Sequence, residues 1–161
     1  MERVDRYLNI LTAIAGLATL AVAVQLLRGL PSDPQLPQGP HIGSHLTVSG
    51  ISWSDSSGSL LMAISTNCHF CVESGAFYKE LGEKLEKNGR VRLIAVAPDS
   101  ELFVDRLGIK VAVSIKEPIF SVGATVTPTL LYVNNQGEIK NVWVGRLTPK
   151  QEKEVFAVIG T

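Results

Sequence analysis

The only two cysteines of the chain stand three positions apart in Ser65-Thr66-Asn67-Cys68-His69-Phe70-Cys71, and their neighbours leave few ways to fold around them. Before them runs Leu60-Leu61-Met62-Ala63-Ile64, a short continuous apolar stretch of the kind that forms a central strand covered on both faces. After them, from about Val72 to Lys87, Phe77, Leu81 and Leu85 recur every fourth position, which predicts a helix with one inward stripe, closed by Asn88-Gly89. A strand that delivers a Cys-x-x-Cys to the first turn of a helix makes a thiol reactive. The helix start offers unpaired N–H groups and a partial positive charge, and both favour the thiolate, the nucleophile of disulfide exchange.

Composition narrows the function classes. A formal net charge of zero over 161 residues, without a basic cluster, argues against nucleic acid as a partner. Two cysteines cannot build a multi-bridge scaffold, so a close pair points to redox chemistry or to half of a metal site. A structural disulfide at this spacing would close a very short loop and stabilise little.

The first residues read as a separate unit. Leu8 to Leu27 is a run of twenty residues without a charge. At about 1.5 Å rise per residue such a helix crosses a hydrocarbon core of about 30 Å. Arg3 and Arg6 precede it and only Arg28 follows closely, which by the positive-inside rule leaves the N-terminus cytoplasmic and exports the rest. A cleaved signal peptide with Ala21-Val22-Ala23 at the cleavage site is the alternative; the apolar run continues past that point, and Glu2 and Asp5 are unusual in a signal's charged region. The expected organisation is a transmembrane anchor at 1–28, a proline-rich linker at 29–44 carrying Pro31, Pro34, Pro37 and Pro40, and a folded domain at 45–161. The domain then lies on the periplasmic or extracellular side of the cell membrane. His41 and His45 have a metal-ligand spacing only on a helix, which the prolines and Gly43 oppose; they read as surface histidines.

Within the domain, Leu46 to Trp53 reads as one or two short strands bent at Gly50. Val91 to Ala97 is a second buried strand. Pro98-Asp99-Ser100 starts a helix that ends at Gly108, with Asp99 or Ser100 as its cap. Val111 to Ile115 is a short third strand, and a helical turn from Glu117 stops near Gly123. Val126-Thr127-Pro128-Thr129 leads into Leu130–Val133; Asn134-Asn135-Gln136-Gly137 is a hairpin turn, and Glu138 to Val144 returns antiparallel. Thr148-Pro149-Lys150-Gln151 opens a last helix with a capping box, and Val155, Phe156 and Ile159 are its apolar positions. This order describes an α/β domain with a mixed sheet.

Over Leu46 to Ile159 the chain resembles the thioredoxin superfamily. The resemblance rests on the strand-Cys-x-x-Cys-helix unit at Leu60–Lys87, on Val-Thr-Pro-Thr-Leu-Leu-Tyr-Val before a hairpin, and on Asn-Gln-Gly-Glu-Ile followed by Gly145 and a capped terminal helix. The surplus from about Pro98 to Phe120 is similar to the helix–strand insertion of membrane-anchored TlpA/ResA-type thioredoxins. The resemblance implies a thioredoxin-like mixed sheet flanked by helices, a cis-proline at Pro128 beside the dithiol, and thiol-disulfide oxidoreductase activity. It implies reduction of exported proteins, notably in cytochrome c maturation, with protein clients, a membrane electron donor, and neither cofactor nor metal.

On that resemblance Cys68 is the attacking thiolate and Cys71 the resolving thiol, and Thr127 and Pro128 face the dithiol and pair with an extended client. His69, if protonated, supports the Cys68 thiolate and makes the couple more oxidising; Phe70 offers an apolar contact to a client. Three departures from the family pattern stand out. Met62 occupies the position six before Cys68 where a buried carboxylate often serves proton transfer. Asn67 replaces the usual aromatic residue, and His69-Phe70 contains no proline. Glu73 could take over proton handling, or be a solvated helix residue. Other readings of the same cysteines are a soft-metal site for Cu(I), with His69 as third ligand, and a non-catalytic interaction module. A peroxide-reducing role is disfavoured because Leu61 and Ser65 stand where such relatives place Pro and Thr.

Overall fold

A computed structural model describes residues 39–160; the expected anchor and most of the linker lie outside the described residues. Among those described, no helix is long and apolar enough to cross a membrane. In chain order the elements are β1 (Gly58–Ala63), α1 (His69–Glu73), α2 (Gly75–Asn88), β2 (Val91–Val96), α3 (Ser100–Leu107), β3 (Val113–Ile115), β4 (Thr129–Asn134), β5 (Ile139–Val144) and α4 (Pro149–Ile159), with 3-10 turns at Trp53–Asp55 and Ile119–Val122. The five strands form one sheet in the order β3-β2-β1-β4-β5. β1 pairs parallel with β2, and β2 with β3, as helical crossovers require; β4 lies antiparallel to β1 and β5 antiparallel to β4.

β1 is the centre of the molecule, and every one of its residues is buried. Its side chains alternate between two cores. Leu60 and Met62 face a cluster with Phe77, Leu81 and Leu85 of α2, Phe103 and Val104 of α3, and Val155 and Ile159 of α4. Leu61 and Ala63 face a second cluster with Ile94, Val96, Leu131 and Val133. Burying each leucine in this way contributes about 1.5–3 kcal/mol. The three longer helices thus cover one face of the sheet. The second face is closed by Val48, Val122 and Ala124, and no residue of a described α-helix belongs to its core.

Several expectations need correction. Leu46 to Trp53 forms no strand. Gly50, at φ +76°, turns the chain, and the indole N–H of Trp53 donates to the Leu46 carbonyl at 2.9 Å. Its apolar residues still pack on the second face, but most of its backbone has no strand partner; Leu46 N–H reaches only the hairpin turn, at Gly137. The helix expected over 72–87 begins earlier and is split at Ser74, whose ψ of 2° interrupts the spiral; there Gly75 lets the helix approach the Leu107 side chain. Asp99 occupies the N-cap position of α3 without a side-chain capping bond. β3 starts at Val113, not Val111. The ends of α2 and α4 follow the sequence signals: Gly89 is left-handed at φ +67°, and Thr148 and Gln151 complete the capping box.

Candidate functional site

Register decides where the dithiol sits. Ala63, the last residue of β1, is opposite both Val96 at the end of β2 and Thr129 at the start of β4. The loops that leave β1 and β2 and the one that enters β4 therefore emerge at the same end of the sheet. The β1 loop carries Cys68, the β2 loop Asp99 and the β4 loop Thr127-Pro128. The Thr66 hydroxyl donates to the Asp99 carboxylate and ties the first two loops together. The Thr127-Pro128 bond is cis, as the resemblance implies; Pro128 is buried and Thr127 half-buried.

Cys68 is the N-cap of α1, with extended backbone at φ −89° and ψ 107°. Its Sγ accepts the Cys71 backbone N–H at 3.1 Å. The two cysteines form a disulfide across a Cα–Cα distance of 5.2 Å. Cys68 is half-buried, whereas Cys71 is wholly enclosed in the same apolar cluster as Met62. One sulfur is thus open to attack, and the second is reached only through the first. An N–H aimed at the outer sulfur supports a negative charge there once the bond is reduced.

The residues between and after the cysteines lie on the surface. Phe70 is 52% exposed. The His69 imidazole is exposed, and its Nε2 lies 3.1 Å from Glu73 Oε1, one turn along. The other carboxylate oxygen of Glu73 accepts Arg146 Nη1 at 2.7 Å. Glu73 is thus neither free nor simply solvated. Arg146 follows Gly145, whose N–H donates to the Pro128 carbonyl at 2.7 Å. Sequence reasoning missed Arg146 and the Thr66–Asp99 bond. Glu73 and Arg146 are 73 residues apart, and Thr66 and Asp99 are 33 apart, so no local pattern marks either pair.

The buried polar residues near the sheet are Ser59, Ser74, Ser100 and Thr129, with no carboxylate among them in the described residues. Met62, at the position six before Cys68 where the resemblance leads one to look for a carboxylate, is fully buried. The nearby Tyr78 phenol is pushed far above its ordinary range by burial, with the Ser74 hydroxyl offsetting part of the shift. Among the described residues no group of three or more His, Cys, Asp or Glu side chains is placed to hold a metal ion.

No protein-family model matches the chain, and no curated protein matches it in sequence. Solved structures do match in shape. A thiol:disulfide interchange protein DsbE from Chlorobium tepidum is 16% identical, with a TM-score of 0.58 over 75% of this chain and 96% of the other. A secreted thiol-disulfide isomerase from Corynebacterium glutamicum is 20% identical, with a TM-score of 0.53 over 75% and 81%. StoA from Bacillus subtilis is 18% identical, with a TM-score of 0.52 over 75% and 98%. Together with the mixed five-stranded sheet and the Cys-x-x-Cys pair on its first helix, these matches show that the chain has the thioredoxin-like fold.

Proposed function

We propose that this protein is a thiol-disulfide oxidoreductase that exchanges disulfides with exported proteins through Cys68 and Cys71. The observation that carries the reading is the asymmetry of the pair: Cys68 is accessible and holds an N–H on its sulfur, while Cys71 is enclosed behind it. In the reduced protein the Cys68 thiolate attacks one sulfur of a client disulfide. A mixed disulfide forms and the client's other sulfur leaves as a thiolate. Cys71 then gives up its proton and attacks Cys68, which releases the client's second thiol and regenerates the internal disulfide. Two electrons pass from the protein to the client in each cycle. An electron donor in the membrane would restore the dithiol.

Thr127 and Pro128, at the same end of the sheet, are the proposed client-binding wall; Phe70 adds an exposed apolar contact, and His69 tunes the Cys68 thiolate. Solved structures similar in shape include proteins described as a thiol:disulfide interchange protein and a thiol-disulfide isomerase, which supports this class of chemistry. The apolar run Leu8–Leu27 supports a membrane anchor with the domain exported. We infer reduction as the direction, in the manner of the cytochrome c maturation type implied by the TlpA/ResA resemblance.

The test is insulin reduction by the full-length chain in detergent. Cys68→Ser abolishes turnover, and Cys71→Ser accumulates a mixed disulfide visible on non-reducing gels. Full activity in Cys68→Ser refutes the mechanism. A reduction potential near about −270 mV supports the reductant, and one near about −120 mV makes the protein an oxidant.

A further inference from the structure

Beside α1 lies a cleft of about 310 Å³ whose lining includes Glu73, Glu80, Glu152 and Arg146. Three carboxylates meet one cation there. Glu80 has its own partner in Lys84 at 2.9 Å. Arg146 bonds Glu73, the carboxylate on the helical turn that carries both cysteines. Its backbone is held on both sides. Gly145, at φ +79°, donates its N–H to Pro128, and Thr148 caps α4 two residues on. Arg146 therefore reaches Glu73 from a braced loop, which limits the entropy lost in pairing.

We propose that Arg146 is a positioning residue for the dithiol: by holding the Glu73 carboxylate it neutralises a negative charge on the helix that Cys68 caps, and so supports the thiolate. The proposal rests on the exchange chemistry above and deepens it. An anion on the same short helix opposes formation of a thiolate at its start, and a cation held on that anion offsets the effect. Without Arg146 the Glu73 carboxylate keeps only its contact with the His69 imidazole at 3.1 Å, and more of its charge acts on the reduced site. The reduced form then loses stability relative to the disulfide, and the couple becomes more reducing. Both side chains contact solvent, so screening keeps the effect modest: roughly threefold in the redox equilibrium.

The experiment equilibrates the full-length chain in detergent with glutathione buffers at pH 8, where a thiol at a helix start is largely ionised. The reduced fraction is read by thiol alkylation. Arg146→Gln lowers the equilibrium constant for reduction about threefold, equivalent to about 14 mV at 29.6 mV per tenfold. Arg146→Lys keeps the charge and stays near the wild-type value. Glu73→Gln combined with Arg146→Gln removes both charges and also returns to it. An unchanged potential in Arg146→Gln, or a double variant displaced as far as the single one, overturns the proposal. Urea midpoints measured in parallel identify any variant that is merely unfolded, and the double variant then carries the decision. A wild-type protein that equilibrates with glutathione but does not reduce insulin would defeat the proposed function and leave this measurement readable.

Discussion

Gly82 offers a sharp test of how the helical layer is seated on the sheet. It is buried in α2, facing the backbone that leads into β3. A Cβ at this position would lie 3.0 Å from Lys110 N and 3.2 Å from Lys110 C, and closer still to the Lys110 carbonyl oxygen. These are backbone atoms and cannot rotate away, so either α2 or the segment before β3 must shift. Overpacking of this kind costs about 1–3 kcal/mol, and a backbone clash belongs near the upper end. Alanine recovers about 1 kcal/mol in helix propensity. A cavity of about 220 Å³ beside Lys110 and Val111 gives the loop room to move, which keeps the cost from rising further. The net expectation for Gly82→Ala is a loss of about 2 kcal/mol. That corresponds to a Tm lower by about 8 °C, or a urea midpoint lower by about 1 M. Circular dichroism melts and urea titrations of the full-length chain measure both. Lys110 precedes β3, and β3 runs parallel to β2, so the strain falls at the end of the sheet away from the dithiol. The Cys68–Cys71 potential should therefore stay at the wild-type value while stability falls. A Gly82→Ala protein as stable as wild type, or more so, would refute the close approach of α2 to this loop.

Two further outcomes follow from local contacts. Thr148→Ala removes the hydroxyl that accepts the Gln151 N–H and should lower stability by about 1 kcal/mol, read as a shift in the urea midpoint. The Glu138 carboxyl is held below its ordinary value of 4.5, chiefly by a hydrogen bond from Lys140. A lowered folded value means stability that is present above the unfolded value and lost as pH falls through the folded one. Glu138→Gln should therefore be less stable than wild type at pH 6, with the difference closing below about pH 4; a gap that widens toward acid would contradict the sign.

Much of the architecture is legible from short stretches of chain. The apolar run Leu60–Ile64, the stripe Phe77–Leu81–Leu85, the Asn88-Gly89 stop and the Thr148–Gln151 box each act within a few residues, and each is found where its pattern predicts. Expectations failed where a local pattern had to find a distant partner. Leu46–Trp53 has the apolar residues of a strand and uses them to cover the second face, yet its backbone gains no ladder. Asp99 has the chemistry of a cap, but its carboxylate takes the Thr66 hydroxyl instead, because register brings the two loops together. Ser74 breaks the long helix where Gly75 meets Leu107, a contact made by α3 and invisible in the helical pattern itself.

The same division holds at Cys68 and Cys71. Their spacing, the strand before them and the helix after them are enough to identify a reactive pair, because an N-cap geometry and its N–H donors are properties of a few consecutive residues. The resemblance already names Cys68 as the attacking sulfur; how completely Cys71 is enclosed, and which charged groups pair on the helix, were decided by the tertiary structure. Burial of Cys71 depends on Met62 and the packed face of the sheet. The pairing of Glu73, on the helix that Cys68 caps, depends on Arg146, brought from the far end of the domain by the pairing of β4 and β5 and by the Gly145–Pro128 hydrogen bond. Local chemistry is written in sequence neighbours; electrostatics and access are set by groups that become neighbours only when the sheet closes.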